Sequence, residues 1–321
     1  MTVLVTGAAG FIGSHVAEAL LARGEAVTGI DNLNDYYDVR LKQARLARLE
    51  GRRGFTFKKI DFADRDAMLS LKGTDFLHIV HLGAQPGVRY SLVNPYAYVT
   101  SNVMGHVVVL ELARALRNLK NVVYASSSSV YGGNTKLPFA VGDAVETPQS
   151  LYAATKRSDE LISHTYAHLY GIPQVGLRFF TVYGPWGRPD MAPMLFTSAM
   201  LKGEPIPVFN NGEMWRDFTF VDDIVAGVLA AMQVPPKNKP PHKVYNLGNN
   251  KSEKLTDFIA ALESALGVKA QMRFEPMQPG DVVSTYADIE ETRRALGFAP
   301  TTPISVGVPK FVAWYRSYYG V

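Results

Sequence analysis

The chain has 321 residues, 47% hydrophobic and 19% charged, a balance that supplies a large core and excludes a mainly disordered protein. Its 33 basic and 29 acidic side chains leave a net charge of +4, too small an excess to point to nucleic acid by itself. There is no cysteine, which excludes disulfides, thiolate catalysis and thiolate zinc sites, and the seven histidines include no pair spaced as in HExxH.

Thr2–Thr6 opens the chain as a short β-rich run, followed by glycines and a helical stretch over Phe11–Arg23. Ala26–Ile30 reads as a second strand with Asp31 at its end, and Phe55–Ile60, Phe76–Leu82 and Asn121–Ser126 read as later ones. Strands alternating with helices predict a parallel sheet of right-handed βαβ units, and a continuous apolar run such as Val3–Val5 suits a sheet covered on both faces. Eight cations (Arg40, Lys42, Arg45, Arg48, Arg52, Arg53, Lys58 and Lys59) read as a solvated helix face with its exit loop. Two long helices are expected: Pro95–Arg117, with proline in the first turn where it is tolerated, and Leu151–Tyr170.

Beyond residue 180 prolines and loop signals cluster at 184–193, 203–207 and 235–241, while 221–232 and 244–247 are candidates to rejoin the main sheet. The expected fold is α/β. A doubly wound parallel Rossmann sheet covers 1–180 with 221–248 returning to it, and 181–220 with 249–321 form a smaller, discontinuous C-terminal lobe. No apolar run approaches the roughly 20 residues that span a bilayer. The opening MTVLVTGAAGF carries a strand and a turn in place of a secretory signal, so the cytoplasm is the expected compartment.

Gly7, Gly10 and Gly13 stand right after the first strand, where glycine permits a tight turn and close approach of backbone N–H groups to a pyrophosphate at a helix N-terminus. Their spacing is GxxGxxG and departs from the general GxGxxG fingerprint. Asp31 follows Gly13 by 18 residues, where a carboxylate accepts hydrogen bonds from a ribose and repels a 2′-phosphate, favouring NAD over NADP. Asp61, closing the third strand, is placed to touch the adenine. Phe11, Ile12, Asn32 and Phe62 complete the expected cofactor set.

Tyr152 and Lys156 lie four residues apart at the start of a predicted helix, so both project from one face. A free phenol titrates near 10 and is a poor base at neutral pH; a nearby ammonium and an oxidised nicotinamide both favour the phenolate. Tyr152 is thereby a candidate to take a proton from a hydroxyl while hydride leaves the same carbon. Ser126–Ser129 end the fifth strand, at the side of an open parallel sheet where ligands sit.

The segments DNLNDYYDVRL (31–41), HLGAQPGVRYS (81–91), ASSSSVYG (125–132), SLYAATK (150–156), RFFTVYGPWGRPDMA (178–192) and RDFTFVDDI (216–224) resemble the extended short-chain dehydrogenases that act on nucleotide sugars. Within that group they look most like the UDP-glucuronate 4-epimerases, over Thr6–Asp281. The resemblance implies a catalytic Ser127, Tyr152 and Lys156, a sugar pocket lined by Ser128 and Ser129, and Thr181, Arg216 and Asp281 around the substrate. It also implies resident NAD, hydride removal from C4 and return to the other face of a 4-keto sugar, and a homodimer built on the two long helices. A 4-ketoglucuronate is a β-keto acid prone to lose carbon dioxide; Arg89 or Arg188, with the serines, is expected to hold its carboxylate, and 184–190 is the candidate lid.

Other readings stay open. Sugar 4,6-dehydratases carry Asp-Glu, and UDP-glucuronate decarboxylases carry Glu at the position of Ser129, where this chain has hydroxyls. UDP-glucose 4-epimerase differs by a neutral C6, and an NAD-sensing protein without catalysis would keep the fold alone. Neither a nucleic acid nor a membrane is expected as a partner, and no metal.

Overall fold

The protein is described from a computed structural model over residues 1–277 and 282–321. Its centre is a seven-stranded sheet of β1 (Thr2–Thr6), β2 (Ala26–Asp31), β3 (Phe55–Lys59), β4 (His78–His81), β5 (Asn121–Ser127), β6 (Gln174–Phe179) and a last strand, His242–Leu247. Neighbours all run parallel, in the order β3-β2-β1-β4-β5-β6 and then His242–Leu247. The direction of travel reverses between β1 and β4. That switch opens a crevice beyond their carboxyl ends, where open parallel sheets bind ligands.

The alternation of β1 explains the cover on both faces. Val3 and Val5 join Val80, Val123 and Val175 in a core roofed by the helices Phe11–Ala22 and Val221–Gln233. Leu4 points the other way, to Ile79, Val122 and the helix Gly105–Ala115. Among the described residues no helix is long and apolar enough to cross a membrane.

The helix expected over 95–117 is broken. It is α-helical at Pro95–Tyr98, π-helical at Val99–Met104 and α-helical again at Gly105–Ala115. The wide turn shifts the register, so apolar residues spaced for one helical face divide: Val99 is exposed and Leu110 is fully buried. It also aims Asn102 inward, where the amide accepts from the Gln85 N–H (2.8 Å) and donates to the Gln85 carbonyl (3.1 Å) and Thr155 Oγ1 (3.0 Å). The helix Leu151–Tyr170 has the predicted bounds. Ser150 caps it by accepting from the Ala153 N–H (3.1 Å), and Gly171 ends it at φ +67°.

Three short strand pairs follow, Thr181–Tyr183 with Phe218–Phe220, Ile206–Val208 with Met272–Phe274, and Trp215–Arg216 with Glu253–Lys254. Asp217, fully buried between the strands Trp215–Arg216 and Phe218–Phe220, accepts from the N–H groups of Asn249 (2.5 Å), Ala287 (3.0 Å) and Asn250 (3.2 Å) and from Thr219 Oγ1 (2.8 Å). Burial pushes its carboxyl up to about 6 against those bonds.

Candidate active site

A cleft of about 920 Å³ runs from the glycine-rich turn to the short strand pairs. Every candidate cofactor, catalytic or substrate residue named from the sequence lines it except Asp61, which is exposed beyond its wall, and Asp281, which lies outside the described residues.

Gly7 leaves β1 at φ +70°, in the left-handed region that glycine enters freely, and a Cβ there would stand 2.8 Å from the Gly83 backbone. Gly13 packs so closely under the turn that its Cβ would lie 2.0 Å from the Gly7 carbonyl oxygen. Gly10 caps the following helix and donates its N–H to that same oxygen (2.8 Å). The result is a cradle free of side chains at the positive end of a helix dipole, which fits a pyrophosphate. Asp31 accepts from the N–H groups of Ala9 (3.2 Å) and Leu33 (2.9 Å). Burial raises its carboxyl above the usual range, with those bonds and the charges of Lys42 and Arg45 pulling the other way. Asn32 donates to Asp61 (2.9 Å), and Phe62 fills a slot where a Cβ at Gly83 or Gly105 would come within 2.6 or 2.4 Å of its ring.

The cationic stretch is not wholly the solvated face its composition suggests. Lys42 and Arg45 are buried, because each finds neutral oxygens to donate to. Lys42 Nζ reaches the Asn34 carbonyl (2.7 Å) and Oδ1 (2.6 Å), and Arg45 reaches carbonyls from loops remote in sequence.

β5 delivers Ser127 to the cleft, where its Oγ accepts from the Ser129 N–H and donates to the Ser129 hydroxyl, both at 3.2 Å. Lys156 is buried and donates to the Ala125 carbonyl and to Asp159 Oδ2, each at 3.0 Å, which leaves the third N–H of its ammonium for the cleft it lines. Burial pushes the Asp159 carboxyl up to about 6, while Lys156 draws it down. One turn earlier, Tyr152 meets the edge of Tyr98 at 6.0 Å between ring centres, and Tyr98 donates to the Pro86 carbonyl (2.8 Å). Tyr90 and Tyr36 extend this aromatic wall toward Asp190.

Arg188 donates Nε and Nη2 to Asp190 (3.0 and 2.5 Å), which also accepts the Tyr36 hydroxyl (3.1 Å). Burial opposes the Arg188 charge, but Asp190 more than offsets it, and the guanidinium is held above its usual value. Burial together with Asp190 pushes the Tyr36 phenol up to about 12. Asp190 occupies the Nε–Nη2 edge of the Arg188 fork. Arg89 lies over the Phe209 ring at 4.7 Å, and Arg216 Nη1 donates to the Trp215 (2.8 Å) and Val283 (3.2 Å) carbonyls. Thr181 pairs with Phe218 across the first short strand pair.

A model of the NAD dependent epimerase/dehydratase family matches residues 3–248. The chain belongs to that family. Protein CapI of Staphylococcus aureus is 47% identical over 99% of this chain and 99% of its own. UDP-glucuronate 4-epimerase 4 of Arabidopsis thaliana is 49% identical over 99% of this chain and 76% of its own. The structure of UDP-glucuronic acid 4-epimerase from Bacillus cereus, in complex with UDP-glucuronic acid and NAD, matches with a TM-score of 0.92 at 36% identity, over 99% of this chain and 100% of that one.

As an NAD-dependent epimerase/dehydratase, the chain has a cradle and a buried Asp31 that suit the cofactor of its family. The residues that sequence reasoning missed lie behind the site. Asp159 holds Lys156, and Glu160 receives Ser126 and Arg178. An arginine within a β-rich, otherwise apolar run such as 174–179 was the available signal that a buried carboxylate faces it.

Proposed function

We propose that this chain interconverts UDP-glucuronate and UDP-galacturonate by NAD-dependent epimerisation at C4. The observation that carries this reading is one continuous cleft in which a tyrosine and a lysine share a helix face, hydroxyls alone stand at Ser128 and Ser129, and Arg188 is pre-set nearby. Gly7, Gly10, Phe11, Ile12 and Gly13 would hold the pyrophosphate of the cofactor, Asp31 and Asn32 its ribose, and Asp61 and Phe62 the adenine side. Bound NAD would take up the C4 hydride and return it to the opposite face of a 4-keto sugar.

Tyr152 removes the C4 hydroxyl proton and later gives it back, and Ser127 hydrogen-bonds to the same oxygen. Lys156 would hold the nicotinamide ribose through its remaining donor and stabilise the charge on Tyr152. Thr181, Arg216 and Asp281 attend the sugar and the UDP. Residues 1–180 with 221–248 form the cofactor domain, and 181–220 with 249–321 the substrate lobe.

Protection of the β-keto acid decides between epimerisation and decarboxylation. Arg188, with Ser128 and Ser129 and with Arg89 as the second cation, pairs with the sugar carboxylate and keeps its C–C bond out of the orientation that releases carbon dioxide. A carboxylate at Ser129 would repel the substrate there. Incubation with UDP-glucuronate, followed by NMR without added NAD, should give UDP-galacturonate and no carbon dioxide. UDP-xylose or a 4-keto pentose would sink the protection argument. No turnover on UDP-glucuronate, but turnover on UDP-glucose, would replace the substrate with a neutral hexose.

The expected assembly is a homodimer and the expected compartment the cytoplasm. Leu92 and Val93 just ahead of the broken helix, Tyr96, Val99 and Met104 on it, and Leu161, Leu169 and Tyr170 on the helix Leu151–Tyr170 are large apolar side chains left exposed. A second copy covering these helices would bury them. Light scattering should return twice the chain mass at every concentration from micromolar upward, and a monomer throughout would end this proposal.

A further inference from the structure

Arg45 sits on the helix Val39–Ala47, amid surface cations, yet its side chain is 0% exposed. The five N–H groups of a guanidinium all find acceptors here. Nε and Nη2 donate to the Trp186 carbonyl (3.0 and 2.8 Å), and Nη2 also to the Gly187 carbonyl (3.0 Å). Nη1 donates to the Ala9 carbonyl (3.2 Å) and the Tyr37 hydroxyl (2.6 Å). Every one of these acceptors is neutral, and a charge buried against neutral oxygens is retained at a cost to stability.

The acceptors belong to pieces far apart in the chain. Ala9 lies inside the glycine cradle, and Trp186 and Gly187 lead directly into Arg188. Trp186 is at φ +62°, unusual for a bulky residue. It is held there by Arg45 on its carbonyl, by Arg48 at 4.9 Å from its ring, and by Trp314 and Tyr318 at 5.3 and 5.2 Å. At the other end of the same loop Asp190 is tied to Tyr36. The segment expected to act as a lid is therefore pinned at both ends to residues 36–48.

We propose that Arg45 is a positioning residue: by spanning the glycine cradle and the Trp186–Gly187 turn, it sets where Arg188 stands and so governs selection of a sugar bearing a carboxylate. The inference rests on the assignment of Arg188 to that carboxylate. The fork, more than the charge, does this. Lysine would keep the charge but present its three donors from a single point, which cannot reach carbonyls on two sides.

Arg45→Lys, Arg45→Gln and Arg188→Met would be compared with the wild type for binding of UDP-glucuronate and UDP-glucose by calorimetry, and for NAD retained after gel filtration. Each Arg45 variant should weaken UDP-glucuronate about tenfold or more, change UDP-glucose less than about threefold, and retain less NAD. Arg188→Met should show the same selectivity with wild-type NAD content. Equal weakening of both sugars by Arg45→Lys, or none, would overturn the role of Arg45. Equal weakening of both sugars, or none, in Arg188→Met would overturn the assignment of Arg188 itself. In the unmutated protein, NAD added to chain stripped of it should slow hydrogen exchange across 186–190. Unchanged exchange there would also count against the link.

Discussion

Replacing Tyr152 with Phe should lower kcat by about 10³-fold while leaving the affinity for UDP-glucuronate within about threefold of wild type. The substitution deletes one oxygen and keeps the ring that packs edge-on against Tyr98. The cap at Ser150 and the helix face shared with Lys156 are untouched, so the ligand should meet the same walls. Under the proposed mechanism, what disappears is the group that takes and returns the C4 proton, a transition-state interaction that leaves ground-state binding alone. Initial rates by NMR and dissociation constants by calorimetry separate the two. A loss below tenfold would move the base elsewhere. A loss of binding that matches the loss of rate would mean the hydroxyl holds substrate and does not exchange the proton.

The parts of this site that the sequence made legible are those in which a local pattern forces a local structure. Gly7, Gly10 and Gly13 could be read because a Cβ at Gly7 or Gly13 has nowhere to go, and the helix Leu151–Tyr170 because Ser150 and Gly171 punctuate it. Asp31 was legible because β2 carries it to the crevice edge. Arg45 was not, since its burial depends on the Trp186 and Gly187 carbonyls, 141 and 142 residues away. The π turn at Val99–Met104 likewise has no local signature; it persists because Asn102 must reach both Gln85 and Thr155. Position along the chain told which residues line the cleft. Only the fold told which residues hold them in place.

Glu160→Ala should lower the melting temperature by roughly 10 °C, from the ~3–5 kcal/mol lost when one partner of a buried pair is removed. Glu160 and Arg178 side chains are 1% and 3% exposed, joined by Nε–Oε1 (2.8 Å) and Nη2–Oε2 (2.9 Å) contacts. Ser126 donates to the same carboxylate at 2.6 Å and Arg157 at 3.0 Å. Without Glu160, Arg178 keeps the Tyr131 ring and the Val141 carbonyl, which do not offset a buried charge. Burial by itself would raise the Glu160 carboxyl, but Arg178, Ser126 and Arg157 hold it below its ordinary 4.5. A depressed carboxylate stabilises the fold above that value and loses the contribution as pH falls through the lower folded value. The wild type should therefore lose melting temperature more steeply below pH 4.5 than Glu160→Ala does. Because the pair clamps the helix bearing Tyr152 to β5 and β6, kcat of the folded variant should fall too, whereas Tyr152→Phe should melt within a few degrees of wild type. A small melting shift with the acid slope intact would mean water satisfies Arg178, and the clamp would not be what holds the catalytic helix.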